Sequence, residues 1–293
     1  MTIDAALRSR RTADAPRVRR RRLGRRAAAY ALGGITALAG IGWLGLRVVP
    51  QALPDAGLEA GRVATVPVPD GLPEPVERFY RSLYGDEVPV VETAVVSGRG
   101  TMRVNGITFP ARYRFSHVAG HDYRHFIEVT WFGRRLLAVN EWFLDGTARL
   151  ELPFAVMEGP KVDQGANLAL WAEAGWFPSV WLTDPRSSWE PIDATSARLL
   201  VPFGDDTEEL TLTFDPDTGL LTRMESMRFK GEEDETKTRW LNEALDWDVL
   251  DGVPAPMTTT VTWSDEGTPW ARLRTEELIL NTDLGRYIEA DGP

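Results

Sequence analysis

Ten segments between residues 107 and 280 alternate apolar and polar residues or concentrate β-branched and aromatic ones, and Gly, Asp and Pro turns separate them. They are residues 107–118 (ITFPARYRFSHV), 122–132 (DYRHFIEVTWF), 134–144 (RRLLAVNEWFL), 147–152 (TARLEL), 197–203 (ARLLVPF), 208–215 (EELTLTFD), 219–230 (GLLTRMESMRFK), 236–247 (TKTRWLNEALDW), 256–263 (PMTTTVTW) and 271–280 (ARLRTEELIL). Period-two patterning puts alternate side chains on opposite faces, so each segment reads as a half-buried strand. Connections this short join antiparallel neighbours. The expected class is therefore mainly β (α+β), with an antiparallel sheet as the dominant element.

The residues FSHVAGHDYRHF at 115–126 hold His117, His121 and His125, the three histidines of the chain. On a helix, spacing by four would place them on one face. Between two strand-like runs they read instead as a hairpin turning near Ala119 and Gly120. Side-chain parity selects a three-residue loop, 119–121, with residues 118 and 122 paired. That register gathers Tyr113, Phe115, Tyr123, Ile127, Val129 and Trp131 on one face, with His117 and His125 as diagonal neighbours there and His121 at the turn. The three imidazoles then cannot converge, and no H-E-x-x-H motif or cysteine pair supplies a zinc pattern. No metal and no cofactor is expected.

Two helices interrupt the strands. In PEPVERFYRSLYG, Val76, Phe79, Tyr80 and Leu83 fall at i, i+3, i+4 and i+7 behind prolines, which predicts a short helix over 73–84. In DQGANLALWAEAGWFPSVWL, residues 163–182, Leu168, Trp171 and Ala172 fit a second helix, taken as 164–177 and ended by Pro178.

The first fifty residues differ from the rest. Residues 1–26 carry ten Arg against Asp4 and Asp14, a net +8, which leaves −18 for the remainder of a chain whose formal charge is −10. Between Arg26 and Arg47 lie twenty residues without a charge, AAAYALGGITALAGIGWLGL, about 30 Å long as a helix. The expected organisation is a basic cytoplasmic tail (1–26), a transmembrane helix (27–49), a Pro-rich extended linker (50–75) and an extracytoplasmic antiparallel β domain (76–285). The arginines before the apolar run place the N-terminus in the cytoplasm and the domain outside the cell membrane, as a single-pass protein. The run exceeds a signal-peptide h-region, and no A-x-A site follows. The acidic exterior argues against nucleic acid as a partner of the outer domain.

No G-x-S-x-G, Walker A loop or Ser-His-Asp order is present, and the reading is non-catalytic. FDPDTGLL at 214–221 reads as a hairpin turn rather than a calcium loop, and KGEEDETK at 230–237 as a solvated turn. The informative excess is aromatic. Ten of the eleven Trp lie outside the apolar run, four of them within residues 171–189. Trp131, Trp142, Trp171, Trp176, Phe177 and Trp181 are taken as the lining of a cavity for an apolar ligand. A plugged, solid core is the competing account of the same residues.

The runs from Ser97 to Leu152, DQGANLALWAEAGWFPSVWL with WEPIDATSARLLV, and LTLTFDPDTGLLTRMESMRF resemble an uncharacterised bacterial family of unknown function whose members often carry one N-terminal membrane segment. The strand-hairpin rhythm, with F-D-x-D-T-G-L-L as its turn, also resembles envelope lipoprotein and lipid carriers of the LolA type. That resemblance implies a curved antiparallel half-barrel with capping helices and an apolar cavity, and implies no catalytic residues. The leading expectation is a membrane-anchored envelope protein that binds a lipid-like or other hydrophobic small molecule in the concavity of its sheet. The alternatives are an envelope protein-interaction or sensing module without a cavity, and a His-dependent metal hydrolase; the sequence names no protein partner.

Overall fold

The structure, a computed structural model, describes residue 30, residues 32–285 and residue 288. The chain divides into two units, residues 1–47 and 48–293. In the first, residues 32–45 are helical, and Arg47 lies 4.6 Å over the Trp43 ring. Among the described residues, no helix is long and apolar enough to cross a membrane. The expected span at 27–49 begins with residues outside those described.

Among its described residues the second unit contains fifteen strands. They are β1 (Ala64–Pro67), β2 (Glu87–Val90), β3 (Thr93–Val104), β4 (Ile107–Val118), β5 (Asp122–Trp131), β6 (Arg134–Leu144), β7 (Thr147–Leu152), β8 (Ala155–Met157), β9 (Ser188–Pro191), β10 (Ser196–Phe203), β11 (Asp206–Phe214), β12 (Leu221–Arg228), β13 (Thr238–Leu250), β14 (Val253–Trp263) and β15 (Ala271–Leu280). The helices are α1 (Glu74–Tyr84), α2 (Pro160–Glu173) and α3 (Val180–Thr183), with a 3-10 turn at Ala174–Trp176. β1 and β2 pair alone, and the other thirteen strands form one antiparallel sheet in the order β8-β7-β6-β5-β4-β3-β15-β14-β13-β12-β11-β10-β9.

Geometry forces this sheet to curl. α2 packs on β6 and β7 in one wing and on β10, β11 and β12 in the other. β7 and β12 stand eight places apart in the strand order, about 38 Å if flat at ~4.8 Å per strand. A helix of 14 residues is only about 21 Å long. The two wings reach it because the sheet bends around it.

β3 sits at the centre of the bend and was missing from the strand segments read in sequence. Its TAVVSGRGTMRV contains Gly98 and Gly100, and glycine normally argues against a strand. Here both are required. A Cβ at Gly98 would lie 1.9 Å from the Arg274 carbonyl oxygen, and one at Gly100 2.0 Å from that of Arg272, both on β15. The close approach of β3 and β15 on the concave face is what glycine permits.

The β4–β5 register is as parity requires: Val118 pairs with Asp122, His117 with Tyr123, Phe115 with His125 and Tyr113 with Ile127. α1 covers the range expected and buries Val76, Phe79 and Tyr80. α2 starts earlier than the expected 164, at Pro160, whose fixed φ suits the first helical position. It also ends earlier, at Glu173, and the chain tightens into the 3-10 turn before Pro178. The 214–221 stretch is a turn in which the Asp215 carboxylate accepts from the Asp217 and Thr218 amides and the Thr218 hydroxyl. The 230–237 loop also caps α2, since Glu232 accepts from the Lys161 amide at 3.0 Å.

Residues 50–54, the start of the expected Pro-rich linker, are held along the sheet's convex side, and the rest of that 50–75 stretch contains β1 and the first residues of α1. Arg99 donates to the Pro50 carbonyl at 3.2 Å, Arg112 to those of Gln51 and Ala52, and Arg114 to that of Pro54. Arg99 and Arg112 face each other across β3 and β4, on the face opposite Tyr113.

Candidate functional site

The concave side is packed solid at one end and open at the other. Beneath α2 and the 3-10 turn, Tyr123, Leu168, Trp171, Phe177 and Trp181 are almost wholly buried. Between the C-terminal end of this helical cap and the concave faces of β12–β15, a cavity of about 300 Å3 remains, at the small end of the range for ligand clefts. Its wall is mostly apolar, from Met102, Met224, Trp240, Val261, Trp263, Trp270 and Leu273 on the strands to Ala172 and Trp176 at the end of the helical cap. Trp176 is fixed there by its indole N–H, which donates to the Thr275 hydroxyl at 3.0 Å, and that hydroxyl donates in turn to the Pro256 carbonyl.

One end of the cavity is strongly polar. His125, Glu141, Glu173 and Arg228 all reach its wall. His125 Nε2 is 2.6 Å from Glu173 Oε2, and its Nδ1 is 3.6 Å from Glu141 Oε2. The Tyr123 hydroxyl donates to Glu141 Oε1 at 2.6 Å. His117 Nε2 stands 3.5 Å from Glu173 Oε2, yet neither of its ring nitrogens has a hydrogen-bond partner among the described residues, although the side chain is wholly buried.

The protonation states follow from these neighbours. Burial opposes a charge on His125, but the Glu173 and Glu141 carboxylates prevail and push it up to about 9. Burial, reinforced by repulsion from His125, holds His117 well below its ordinary value. Burial raises Glu173 even against His125. Glu141 feels the same burial, but hydrogen bonds to His125 and Tyr123 bring it below its ordinary value. Burial lowers the Arg228 guanidinium, opposed by Glu141, Tyr123 and Glu173.

Donors without acceptors cluster on the same wall. Arg228 Nε, Trp240 Nε1, Asn242 Nδ2 and Trp270 Nε1 have no hydrogen-bond partner among the described residues. The wall's carboxylates are occupied, Glu141 and Glu173 by His125 and Glu243 by the Thr260 hydroxyl at 3.3 Å. Arg228 stacks over Trp240 at 4.5 Å and over Trp263 at 5.5 Å, a cation–π arrangement that orients the guanidinium.

Of the six residues expected to line a cavity, Trp176 is on this wall and the other five lie elsewhere. Trp142 has the wrong parity: it pairs with Arg124, so it faces the convex side, and its ring lies 5.3 Å from Arg124 and 5.6 Å from Arg149. Trp131 is the last residue of β5, next to a bulge, and is 40% exposed. Trp171, Phe177 and Trp181 fill the solid end; Trp181 donates to the Trp171 carbonyl, and Phe177 packs 5.3 Å from His117. Period-two parity was the available signal for Trp240, Asn242 and Trp263, which share the concave face of β13 and β14. Nothing local marks Glu173, which arrives from a helix 48 residues beyond His125.

A search of the curated proteins finds no match. Among solved structures, similarity is found to a LolA superfamily protein from Nitrosomonas europaea, 12% identical over 74% of this chain and 96% of that one, with a TM-score of 0.43. A second is a domain assigned to outer membrane lipoprotein sorting from Vibrio parahaemolyticus, 11% identical over 71% and 89%, TM-score 0.38. A third is a DUF1329 family protein from Desulfovibrio piger, 12% identical over 66% and 87%, TM-score 0.38. Residues 62–273, from before β1 to the concave face of β15, match one family throughout, and the chain belongs to that family of unknown function, DUF6544.

Proposed function

We propose that the 48–293 unit is a non-catalytic binding domain for an amphiphile, whose apolar part enters the cavity and whose head group carries hydrogen-bond acceptors. The carrying observation is the combination on one wall of apolar side chains with four unaccepted donors, Arg228 Nε, Trp240 Nε1, Asn242 Nδ2 and Trp270 Nε1. Burial of apolar surface at about 25 cal/mol per Å2 supplies affinity. Buried donors left unpaired cost about 1–3 kcal/mol each, so an oxygen-bearing head group that pairs them adds selectivity. A carboxylate, phosphate or ester meets this requirement, and a plain hydrocarbon does not.

The same reading makes the protein membrane-anchored. Its support is the twenty-residue uncharged run behind a cluster of arginines. A surface feature of the folded unit agrees with a position beside a bilayer. At the β5–β6 hairpin tip, Trp131 and Phe132 are exposed and lie edge-to-face at 4.8 Å, Val48 lies against Gly133, and Arg134 and Arg135 follow. Aromatic and basic side chains of this kind suit the membrane–water interface.

The test is titration of the delipidated full chain with a fluorescent medium-chain fatty acid. Saturable binding is expected, weakened at least tenfold in Ala271→Leu, which fills the cavity, and in Asn242→Leu, which removes a donor. No saturable binding, or binding by both variants as tight as that of the parent chain, sinks the reading.

A further inference from the structure

The two-histidine, one-glutamate cluster at the polar end of the cavity is unexplained by amphiphile binding. From this geometry we infer that His117, His125 and Glu173 form a binding site for a divalent transition-metal ion, with zinc the best fit. One donor atom from each residue lies within 4.8 Å of the other two. Ligand atoms of a tetrahedral zinc site sit about 3.3 Å apart when each is ~2.0 Å from the metal. The separations to Glu173 Oε2, 2.6 Å from His125 and 3.5 Å from His117, bracket that value. Two imidazoles and a carboxylate without thiolate are a donor set for zinc, and also for iron(II), cobalt(II) or nickel(II).

A second observation points the same way. His117 is wholly buried, and neither of its ring nitrogens has a hydrogen-bond partner among the described residues. Buried polar atoms are almost always satisfied, and a cation between His117, His125 and Glu173 is the partner that the His117 ring lacks. The surroundings also match a metal centre. A metal-bound histidine ordinarily turns its other nitrogen to a carboxylate. His125 has Glu141 on its Nδ1 side, and Glu141 is itself held by the Tyr123 hydroxyl. His125 and Glu173 border the cavity, whereas His117 does not. The fourth coordination position therefore opens toward the cavity, where water or a ligand oxygen would complete it.

Sheet curvature builds this site. His117 and His125 come from the β4–β5 hairpin and Glu173 from the last turn of α2. The inference does not rest on amphiphile binding, and the two are tested separately.

The experiment uses purified full chain stripped with a chelator, free of added amphiphile, and titrated with zinc(II) and cobalt(II). Expected are one metal ion per chain by elemental analysis after desalting, and the intense visible absorption of four-coordinate cobalt(II). Glu173→Gln and His125→Asn should weaken binding beyond the roughly 10–100-fold that loss of an outer carboxylate causes. Glu141→Gln should stay within that range and keep one ion per chain. The metal-free thermal transition of each variant checks its fold, and zinc should raise the transition of the parent chain but not that of Glu173→Gln. Substoichiometric uptake by the parent, or uptake by Glu173→Gln and His125→Asn as tight as that of the parent, overturns the inference.

Discussion

The two ends of the concave face start from the same alternation and finish differently. Beneath α2 and the 3-10 turn, tryptophans are packed into a solid mass. Toward β12–β15 they stand around a cavity. Indole hydrogen bonding does not follow that division: Trp181 and Trp189 in the capping segment and Trp176 on the cavity wall have acceptors, while Trp171 at the solid end and Trp240 and Trp270 on the wall have none among the described residues. What separates the ends is the reach of one short helix. A period-two strand presents an apolar face whether or not anything covers it, so occupancy is decided by the element laid on top.

The contrast predicts unequal costs for removing a tryptophan. Trp171→Ala, at the solid end, should destabilise the folded unit by about 3–5 kcal/mol in denaturant titration. Trp263→Ala, on the open wall and half-buried, should cost about 1 kcal/mol. Equal losses would remove the distinction between the ends.

The bend itself is the next point to probe. Gly98→Ala places a Cβ against the Arg274 carbonyl oxygen and should cost about 1–3 kcal/mol as an overpacking change. It should also weaken fatty-acid binding, because β3 and β15 flank the cavity through Met102 and Leu273. A variant as stable as the parent would show that the sheet curls without this close approach.

The smallest effect belongs to the surface beside the solid end. Burial raises the Asp184 carboxyl, but hydrogen bonds from Arg186 bring it below its ordinary value. Arg186 also donates to the Gly120 carbonyl at 2.7 Å, tying the β4–β5 turn to α3. Asp184→Asn should cost about 0.5 kcal/mol at neutral pH, the scale of a partly exposed ion pair. Because the folded-state pKa is depressed, the difference should be full above about pH 4 and close as pH falls through the depressed value. A difference that persists in acid would mean the pair acts through packing rather than charge.

Much of the fold was legible because it is local. Alternation located ten of the sheet's thirteen strands, and burial parity chose the odd loop at 119–121 that pairs Val118 with Asp122. The omission of β3 has a physical cause: propensity penalises glycine in a strand, while the close approach of β15 demands it. The lining residues were less legible. Choosing them by aromatic density led to 171–181, where helical docking consumes the bulk, and passed over Trp240, Trp263 and Trp270 on the strands.

The amino-acid sequence by itself determined the antiparallel class, the hairpin register that puts His117 and His125 on the concave face, and the charge asymmetry about an uncharged twenty-residue run. Tertiary structure alone decided that Glu173 would join those histidines and that the cavity would survive beside β12–β15. The reason is range. Parity and turn chemistry act over a few residues, whereas curvature accumulates across thirteen strands and depends on a helix that both wings must reach.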